Sequence, residues 1–413
     1  MKRGAVIIGI ALFVSVFGTT IILNNSYNQH DSGNFSGTLD IDNGDEKINW
    51  SRFENFEVEL NKSEAVHITK SGVYHIVGTL TDQNITVDVI DGKVKLVLDG
   101  VTIQNQTGPA IYCQEADDLV IELKGENILS DGKAYAASYE EDIAGVIYSK
   151  ADLTFKGDGL LIITANYQDG IVGKDDVKFS SGTYNIASFD DGIRGKDSVY
   201  IKDGNFTINA KGDGIKSTND KRAGKGFILI ESGNIYVASS VEGLEARNIY
   251  VNGGNLNITA SDDGINVSNS RGILEFTGGK TYINASGDGV DSNGRIHFSG
   301  GVVIIDGPVN NNNSALDSDL GITQTGGTVI AVGSSAEAQT ISEESSVRSL
   351  SLALKRAAPA GSRIEVKNQD GTTILSHVSA KSFSHLVIGT PDFKPDQKYT
   401  IYINGERYDI IES

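Results

Sequence analysis

The sequence predicts an all-β protein, a right-handed parallel β-helix with a small C-terminal β cap. Two observations predict this fold. A unit of alternating strand, glycine turn and second alternating strand recurs from about residue 145 to residue 335, and each unit carries an Asp/Glu-Gly-aliphatic marker. So short a repeat cannot close a core alone, whereas stacked copies bury a continuous apolar column. The usual handedness of parallel crossovers makes the coil right-handed.

The marker sets the length of the repeat, because its glycines lie 22, 22, 29, 21 and 25 residues apart. A propeller blade would need about twice this length, and a leucine-rich repeat would need a Leu-rich motif with an Asn or Cys ladder. The marker occurs at Asp169-Gly170-Ile171, Asp191-Gly192-Ile193, Asp213-Gly214-Ile215, Glu242-Gly243-Leu244, Asp263-Gly264-Ile265 and Asp288-Gly289-Val290.

Composition divides the chain into four segments. Residues 1–30 are predicted to be a signal anchor or signal peptide with the start of a polar linker, residues 31–55 a linker, residues 56–335 the β-helix, and residues 336–413 the cap. After Gly333 the marker disappears, while strand patterns return and Asn404-Gly405 is typical of a hairpin turn. Such a unit would cover the unpaired strand edges at the open end of the coil.

The N-terminal segment indicates export. Met1-Lys2-Arg3 precedes an apolar stretch from Gly4 to Leu23 that contains no charge, and about twenty apolar residues suffice to span a bilayer. No A-x-A cleavage site is present, which favours an uncleaved anchor over a cleaved peptide. We therefore expect an extracytoplasmic protein, either membrane-anchored at the cell surface or secreted, that touches the membrane only through this segment.

The charge of the chain restricts its partners. The formal net charge is −19, which repels nucleic acid, so no nucleic-acid partner is expected. Acidic residues with oxygen ligands suit hard cations such as calcium. Cys113 is the one cysteine, so the chain has no disulfide framework, and its apolar neighbours predict a core position.

The acidic marker is the leading site candidate. Equivalent residues of successive turns lie about 4.7–4.9 Å apart, a spacing that one calcium ion with bonds of roughly 2.4 Å can bridge. Without a cation, carboxylates at about 5 Å repel by roughly 3 kcal/mol at an effective dielectric constant of ~20. The alternative is turn chemistry alone, with Asp bonded to its own backbone and Gly supplying a positive φ. The predicted calcium ligands are Asp190, Asp191, Asp213, Glu242, Glu245, Asp262, Asp263, Asp288 and Asp291.

Basic residues accompany the acidic marker. Arg194 and Lys216 lie two residues past a marker glycine, and Lys174 and Lys196 lie four residues past one. This pattern predicts a face of mixed sign, where a uronate chain would bind calcium and pair with Lys or Arg. Ordinary solvated charge is the alternative. Tyr135 and Tyr139, in a predicted insertion, are candidates for stacking on sugar rings, with simple packing as the alternative.

Several strings resemble bacterial carbohydrate-binding-domain-containing proteins with a polysaccharide-lyase-like, or pectate-lyase-like, parallel β-helix. The resemblance is strongest from about Gly72 to Ala260. The strings are Ser71 to Leu80, Leu96 to Val101, Ala144 to Lys150 with Asp152 to Thr154, Gly192 to Asp197, and Asp213 to Ser217.

The resemblance implies a surface or secreted β-helix that contains calcium and binds plant-type polysaccharide, either polygalacturonate or cellulose, without strong lyase activity. It also implies calcium ligands at the acidic-Gly turns. The sequence departs from the family pattern at Glu242-Gly243-Leu244, which makes calcium there less secure. The implied ligands are Asp190, Asp191, Asp213, Asp262, Asp263 and Asp288.

Two other functions stay open at this point. A calcium-dependent polysaccharide lyase would act by β-elimination, with Lys216 or Arg194 as the base. Neighbouring carboxylates oppose this role, because they favour the protonated form of a base. The other alternative is a structural surface stalk or adhesin without affinity for glycans.

Overall fold

The protein is described by a computed structural model that covers residues 39, 41, 44–61, 63–140 and 142–412. The predicted anchor in residues 1–30 lies outside the described residues, as do residues 31–38, 40, 42 and 43 of the predicted linker. In the part that is described, no helix is long and apolar enough to cross a membrane. Two short helices, Gly44–Lys47 and the 3-10 helix Trp50–Arg52, precede the first strand.

The predicted all-β parallel coil is confirmed, and its strands form three faces. The first face is an eleven-stranded parallel sheet in which each strand belongs to one turn. Its strands are Val66–Ile68, Ile85–Asp88, Ile111–Glu115, Gly145–Ser149, Asp169–Gly173, Ile193–Gly195, Ile215–Ser217, Leu244–Ala246, Ile265–Val267, Val290–Ser292 and Leu316–Ser318.

The second and third faces belong to one larger sheet. Three strands, Asn55–Leu60, Gly72–Thr81 and Lys93–Asn105, begin it. The second face then contains Asp118–Lys124, Asp152–Gly157, Asp176–Phe179, Ser198–Ile201, Phe227–Ile230, Asn248–Val251, Ile273–Phe276, Arg295–Phe298 and Ile322–Gln324. The third face contains Glu126–Asp131, Leu160–Ala165, Thr183–Ser188, Asn205–Ala210, Asn234–Ser239, Asn255–Ala260, Lys280–Ala285, Val302–Asp306 and Thr328–Gly333.

One Asp-Gly pair does not end a strand. Asp99-Gly100 lies inside the single strand Lys93–Asn105. Gly100 has a φ of +70°, a conformation that glycine adopts without a steric penalty. The chain therefore turns the corner between two faces without leaving the sheet.

The core is the apolar column inside the coil. Alternation places every second side chain inward, so Ile171, Ile193 and Ile215 stack in register and are fully buried. Aromatic rings stack in the same way, with Phe155 and Phe179 4.9 Å apart between centroids. Cys113 is buried in this core, as predicted.

The C-terminal cap is antiparallel. Ser349–Ala358 and Phe383–Gly389 extend the large sheet, and the second of them pairs with the last solenoid strand, Thr328–Gly333. The other four cap strands form a separate sheet in the order Thr373–Val378, Arg363–Lys367, Lys398–Ile403 and Glu406–Glu412. The cap therefore pairs the strand edge that ends the third face, which would otherwise expose unpaired backbone groups.

A buried polar contact also joins the cap to the coil. His377 Nε2 lies 2.8 Å from Asp306 Oδ1, and both side chains are fully buried. The second carboxylate oxygen of Asp306 accepts hydrogen bonds from the Tyr282 hydroxyl and from the backbone N–H of Ala380. The orientation of the cap on the coil therefore depends on polar contacts as well as on apolar packing.

Candidate functional site

The acidic markers line one corner of the coil, where the chain enters the first face. The residue after each marker glycine points into the core, and the next residue points outward from the first face. We call the markers together with these outward residues the marker column. From the fourth turn onward its outward positions are Tyr148, Val172, Arg194, Lys216, Glu245, Asn266, Asp291 and Asp317.

The marker carboxylates bond to the neighbouring turn. Oδ1 of Asp169 accepts a hydrogen bond from the backbone N–H of Asp191 at 3.0 Å, and Oδ1 of Asp191 accepts one from Asp213 at 2.9 Å. In the same way, Oδ1 of Asp213 accepts a hydrogen bond from the backbone N–H of Glu242, and Oδ1 of Asp263 accepts one from the backbone N–H of Asp288. These bonds differ from the alternative of turn chemistry, in which each Asp would bond its own backbone. These carboxylates stabilise the stacking of turns.

The marker glycine is needed because the turns pack closely at this corner, and not because it supplies a positive φ. Its φ is not positive. A Cβ on Gly192 would lie only 2.6 Å from the carbonyl oxygen of Gly214 in the next turn, closer than packed atoms tolerate. The turns approach so closely at this corner that a side chain does not fit.

Arg194 neutralises the first of these carboxylates. Its guanidinium binds Asp169, with Nε 2.9 Å from Oδ2, and Asp191 lies 3.9 Å away. Burial raises the pKa of Asp169, and the Arg194 charge opposes that rise. Burial, together with the Asp169 charge, raises the pKa of Asp191 to about 7. Arg194 is therefore held inside the column by its own chain.

Lys216 is held in the same way. Its ammonium lies 2.7 Å from Asp213 Oδ2 and also pairs with Glu245. Burial alone would lower the pKa of Lys216, but the hydrogen bonds to these two carboxylates raise it above its usual value. Lys216 is thus a poor base, and this geometry argues against the lyase role considered for it.

Beyond Glu245 the described part of the column contains no cation. Burial and the charges of other carboxylates raise the pKa of Asp263 to about 6, of Asp288 to about 7 and of Asp291 to about 6. The Asp317 carboxylate contributes to all three shifts. These groups repel one another as carboxylates, so they favour a proton or an added cation.

The first half of the marker column ends at Lys216, and the second half begins at Asp263. Oxygen atoms without a hydrogen-bond partner lie between these two halves. Glu242 Oε2 and Asn266 Oδ1 are buried and unpaired, while Asn266 Nδ2 donates to Glu242 Oε1 at 2.9 Å. Burial raises the pKa of Glu242 to about 8. An unpaired buried acceptor is costly, and oxygen ligands are those that calcium takes. The donor set therefore fits a hard cation.

Three acidic groups in the described residues are compact enough to share an ion, with ligand atoms within 4.8 Å of one another. Of the predicted ligands, the structure brings Asp190 and Asp191 together with Asp169, and Asp213 together with Glu242 and Glu245. Asp262, Asp263, Asp288 and Asp291 do not form such a compact group, although Asp262, Asp263 and Asp288 continue the same corner.

Two residues of these sites, Asp169 and Asn266, were not among the predicted ligands. Asp169 belongs to a marker, so its position in the repeat could have indicated it. Asn266 occupies the outward position in the turn between those of Glu245 and Asp291. Its amide carries no charge, so the pattern of charges in the sequence did not indicate it.

A further group, Asp152 with Asp175 and Asp176, lies at the next corner. There Lys225 Nζ lies 2.7 Å from Asp176 Oδ2 and compensates its charge.

The other predicted glycan contacts fall in different environments. Lys174 pairs with Asp142 at 2.8 Å, whereas the Lys196 side chain is exposed. The Tyr135 hydroxyl lies 2.9 Å from both Asp131 Oδ2 and the Gly145 carbonyl oxygen, which share its one hydrogen, and the Tyr135 ring stacks on Tyr167 at 4.5 Å. Tyr139 accepts a hydrogen bond from Asn84 Nδ2 and lines a cleft of about 430 Å³ on the first face. These two tyrosines are half-buried, so packing accounts for part of each ring.

A family model and a relative that match this chain share one description. A family model described as "Carbohydrate-binding domain-containing protein" matches residues 62–251 and 247–377. A protein of the same description from Acetivibrio thermocellus is 33% identical over 160 residues, which are 38% of this chain and 54% of the relative. The match therefore spans about half the length of that relative. A solved structure, a gadolinium derivative of the polysaccharide lyase-like protein from C. thermocellum, is 29% identical, with a TM-score of 0.45, over 59% of this chain and 96% of that one.

Proposed function

Because the chain belongs to the carbohydrate-binding domain-containing protein family, we propose that it is an extracellular protein that binds an acidic plant-wall polysaccharide with the help of calcium. The glycan is a polyuronate such as polygalacturonate. The apolar segment from Gly4 to Leu23 supports the location outside the cytoplasm. Fractionation of cells, with the protein followed by antibody, tests this location; protein found only in the cytosol would contradict it.

The observation that carries the calcium proposal is the pair of unpaired buried oxygens, Glu242 Oε2 and Asn266 Oδ1. Glu245 and Asp263 lie in the adjacent part of the column, and both charges act on Glu242. These four residues would hold the ion. Calcium would neutralise the repulsion among the carboxylates and offer a coordination position to a uronate carboxylate.

The binding role has more support than the lyase role. A lyase needs a base that gives up its proton near the operating pH, whereas the two carboxylates bound to Lys216 raise its pKa. Arg194 is fixed by its contact with buried Asp169. Neither side chain is free to take a proton from a sugar ring.

Sedimentation with insoluble glycans tests the proposed function. Retention on polygalacturonate in calcium, weakened by chelator, is the expected result, together with little unsaturated elimination product. Retention on cellulose alone would replace the acidic ligand by a neutral one. Retention on no glycan would contradict the binding function and leave a structural stalk or adhesin.

Elemental analysis tests the ion separately. Glu242→Gln and Asn266→Ala should each lower the number of bound calcium ions. The matched control is Asp370→Asn, which removes an exposed carboxylate from the cap. An equal calcium content in all these proteins would contradict the assignment of the ligands.

A further inference from the structure

A second surface of the coil has the features of a glycan-binding cleft and contains none of the predicted site residues except Asp190. It encloses about 1060 Å³ at the corner between the third face and the marker column. Its floor consists of the outward residues of four successive turns, Thr164, Ala187, Asn209 and Ser239, which pair in sequence, with a shift of one residue in register at the Asn209–Ser239 pair. All four are short or medium-sized and exposed.

The cleft runs along the axis of the coil. Four turns at the interstrand spacing extend over roughly 14 Å, long enough for a chain of several units rather than for one small molecule. Asn166, Gln168 and Asn209 line it with side-chain amides. Amides donate and accept hydrogen bonds, as sugar hydroxyls do. A repeating polar lining along an axis suits a polymer whose hydroxyls also repeat.

The wall of the cleft presents an aromatic ring. Phe189 has 55% of its surface exposed. The equivalent position in the preceding turn is Tyr167, which also lines the cleft. Aromatic faces bind the apolar C–H face of a pyranose, and pockets for small groups combine such surfaces with a few polar atoms.

Two lysines supply positive charge in the same place. Lys211 Nζ lies 4.6 Å from the centroid of the Phe189 ring, and Lys133 lies in the lining as well. In the part of the chain that the structure describes, neither ammonium pairs with a carboxylate. By contrast, Arg194 and Lys216 are occupied by their own marker column. In a chain of net charge −19, two such cations in one cleft favour an anionic ligand.

We propose that this cleft is the main polysaccharide site and that it takes a polyuronate chain, with Phe189 stacking on a sugar ring and Lys211 pairing with a uronate carboxylate. This assignment rests on the proposed polysaccharide binding and moves the contact surface from Arg194 and Lys216 to the adjoining corner. Asp190 also lines the cleft, so the bound chain lies beside the Asp169, Asp190 and Asp191 group.

Titration of soluble oligogalacturonate into the protein, at constant calcium, tests the site. Phe189→Ala should weaken binding about tenfold, the value of one aromatic contact, and Phe189→Tyr should restore it. Lys211→Gln should weaken binding several-fold and reduce its dependence on salt. Matched controls are Leu320→Ala, whose side chain is 53% exposed, and Lys355→Gln on the cap. Both should bind as the unaltered protein does.

The outcomes separate the site from the function. If the unaltered protein binds and the Phe189 and Lys211 variants match their controls, the cleft is excluded and the proposed function stands. If methyl-esterified oligosaccharide binds as tightly and Lys211→Gln has no effect, the anionic ligand is excluded. If the unaltered protein binds no glycan, the proposed function fails together with the site. Because Phe189 and Lys211 are exposed, misfolding does not complicate these variants, and thermal melting verifies this.

Discussion

The two halves of the marker column use one repeat in opposite ways. In the first half, the markers Asp169, Asp191 and Asp213 alternate with the cations Arg194 and Lys216. In the second half, Asp263 and Asp288 alternate with more carboxylates, Asp291 and Asp317. The backbone register is the same in both halves, so only the outward side chain differs.

The repeating acidic motif therefore has two separate roles, one in the structure of the coil and one in ion binding. The marker Asp has a structural role throughout, because its oxygen accepts the backbone N–H of the next turn. Whether the remaining charge is available for an ion depends on the outward neighbour. Arg194 and Lys216 pair with carboxylates of the first half, although the pKa of Asp191 is still raised to about 7. The second half has no such cation among the described residues, and Glu242 Oε2 and Asn266 Oδ1 between the halves have no hydrogen-bond partner. We therefore expect calcium to matter most beyond Lys216.

The largest effect should come from breaking the first half. Arg194→Met leaves the Asp169 carboxylate, 1% exposed, without its partner and should lower the free energy of unfolding by about 3–5 kcal/mol. Adding Asp169→Asn should recover part of this loss, since it removes the buried charge. Chemical denaturation followed by circular dichroism measures both. A loss below about 1 kcal/mol for Arg194→Met would mean that the pair is not needed.

Removal of the metal should change the stability of the protein mainly through the second half of the marker column. The pKa values of Asp263, Asp288 and Asp291, about 6 to 7, exceed the unfolded value of 3.8. The folded chain thus binds more protons than the unfolded one between about pH 4 and pH 7, and its stability falls as pH rises through this window. In chelator, the melting temperature should be higher at pH 5 than at pH 7.5.

Calcium at 100 times its dissociation constant should add about 2.7 kcal/mol at pH 7.5. It should also flatten the pH profile, because it replaces the protons. Scanning calorimetry with and without calcium measures both effects. An identical melting temperature at pH 7.5 in calcium and in chelator would refute the role of calcium in this half.

A single neutralisation should stabilise the second half. Asp291→Asn removes one of the mutually repelling carboxylates and should raise the free energy of unfolding by about 1 kcal/mol at pH 7.5 in chelator, a value reduced for solvent screening. In calcium, the gain should shrink because the ion already offsets part of the repulsion among the carboxylates. Asp370→Asn on the cap has the same charge change and should have no effect. A destabilised Asp291→Asn protein in chelator would be the opposite result.

The smallest effect concerns the doubled acids. Asp190 and Asp262 are exposed residues that precede a marker in the first and second halves, respectively. Changing either to Asn should alter stability by no more than about 0.5 kcal/mol. Asp262→Asn should nevertheless lower the pKa of Asp263 from about 6, because the Asp262 charge contributes to that rise. Titration followed by NMR tests this; an unchanged Asp263 would show that the two carboxylates act independently.

Much of the fold could be predicted from the sequence, because a solenoid repeats local patterns. The alternating strands, the glycine markers and the hairpin turn at Asn404-Gly405 depend on neighbours a few residues away. Details of the corners were harder to predict. The interval of 29 residues between Gly214 and Gly243 contains an insertion whose Lys225 reaches Asp176 two turns earlier. No local pattern pairs residues that are 49 positions apart.

Strand alternation and repeat length are properties of a linear pattern, so the residues alone predict that this chain stacks acidic turns into a parallel β-helix. Which charges remain available depends on the three-dimensional packing of the turns. Register placed Arg194 beside Asp169, put Lys216 between Asp213 and Glu245, and left Phe189 and Lys211 to face solvent together. The physical reason is that electrostatic interaction depends on separations of a few ångströms across turns, and distance along the chain does not give these.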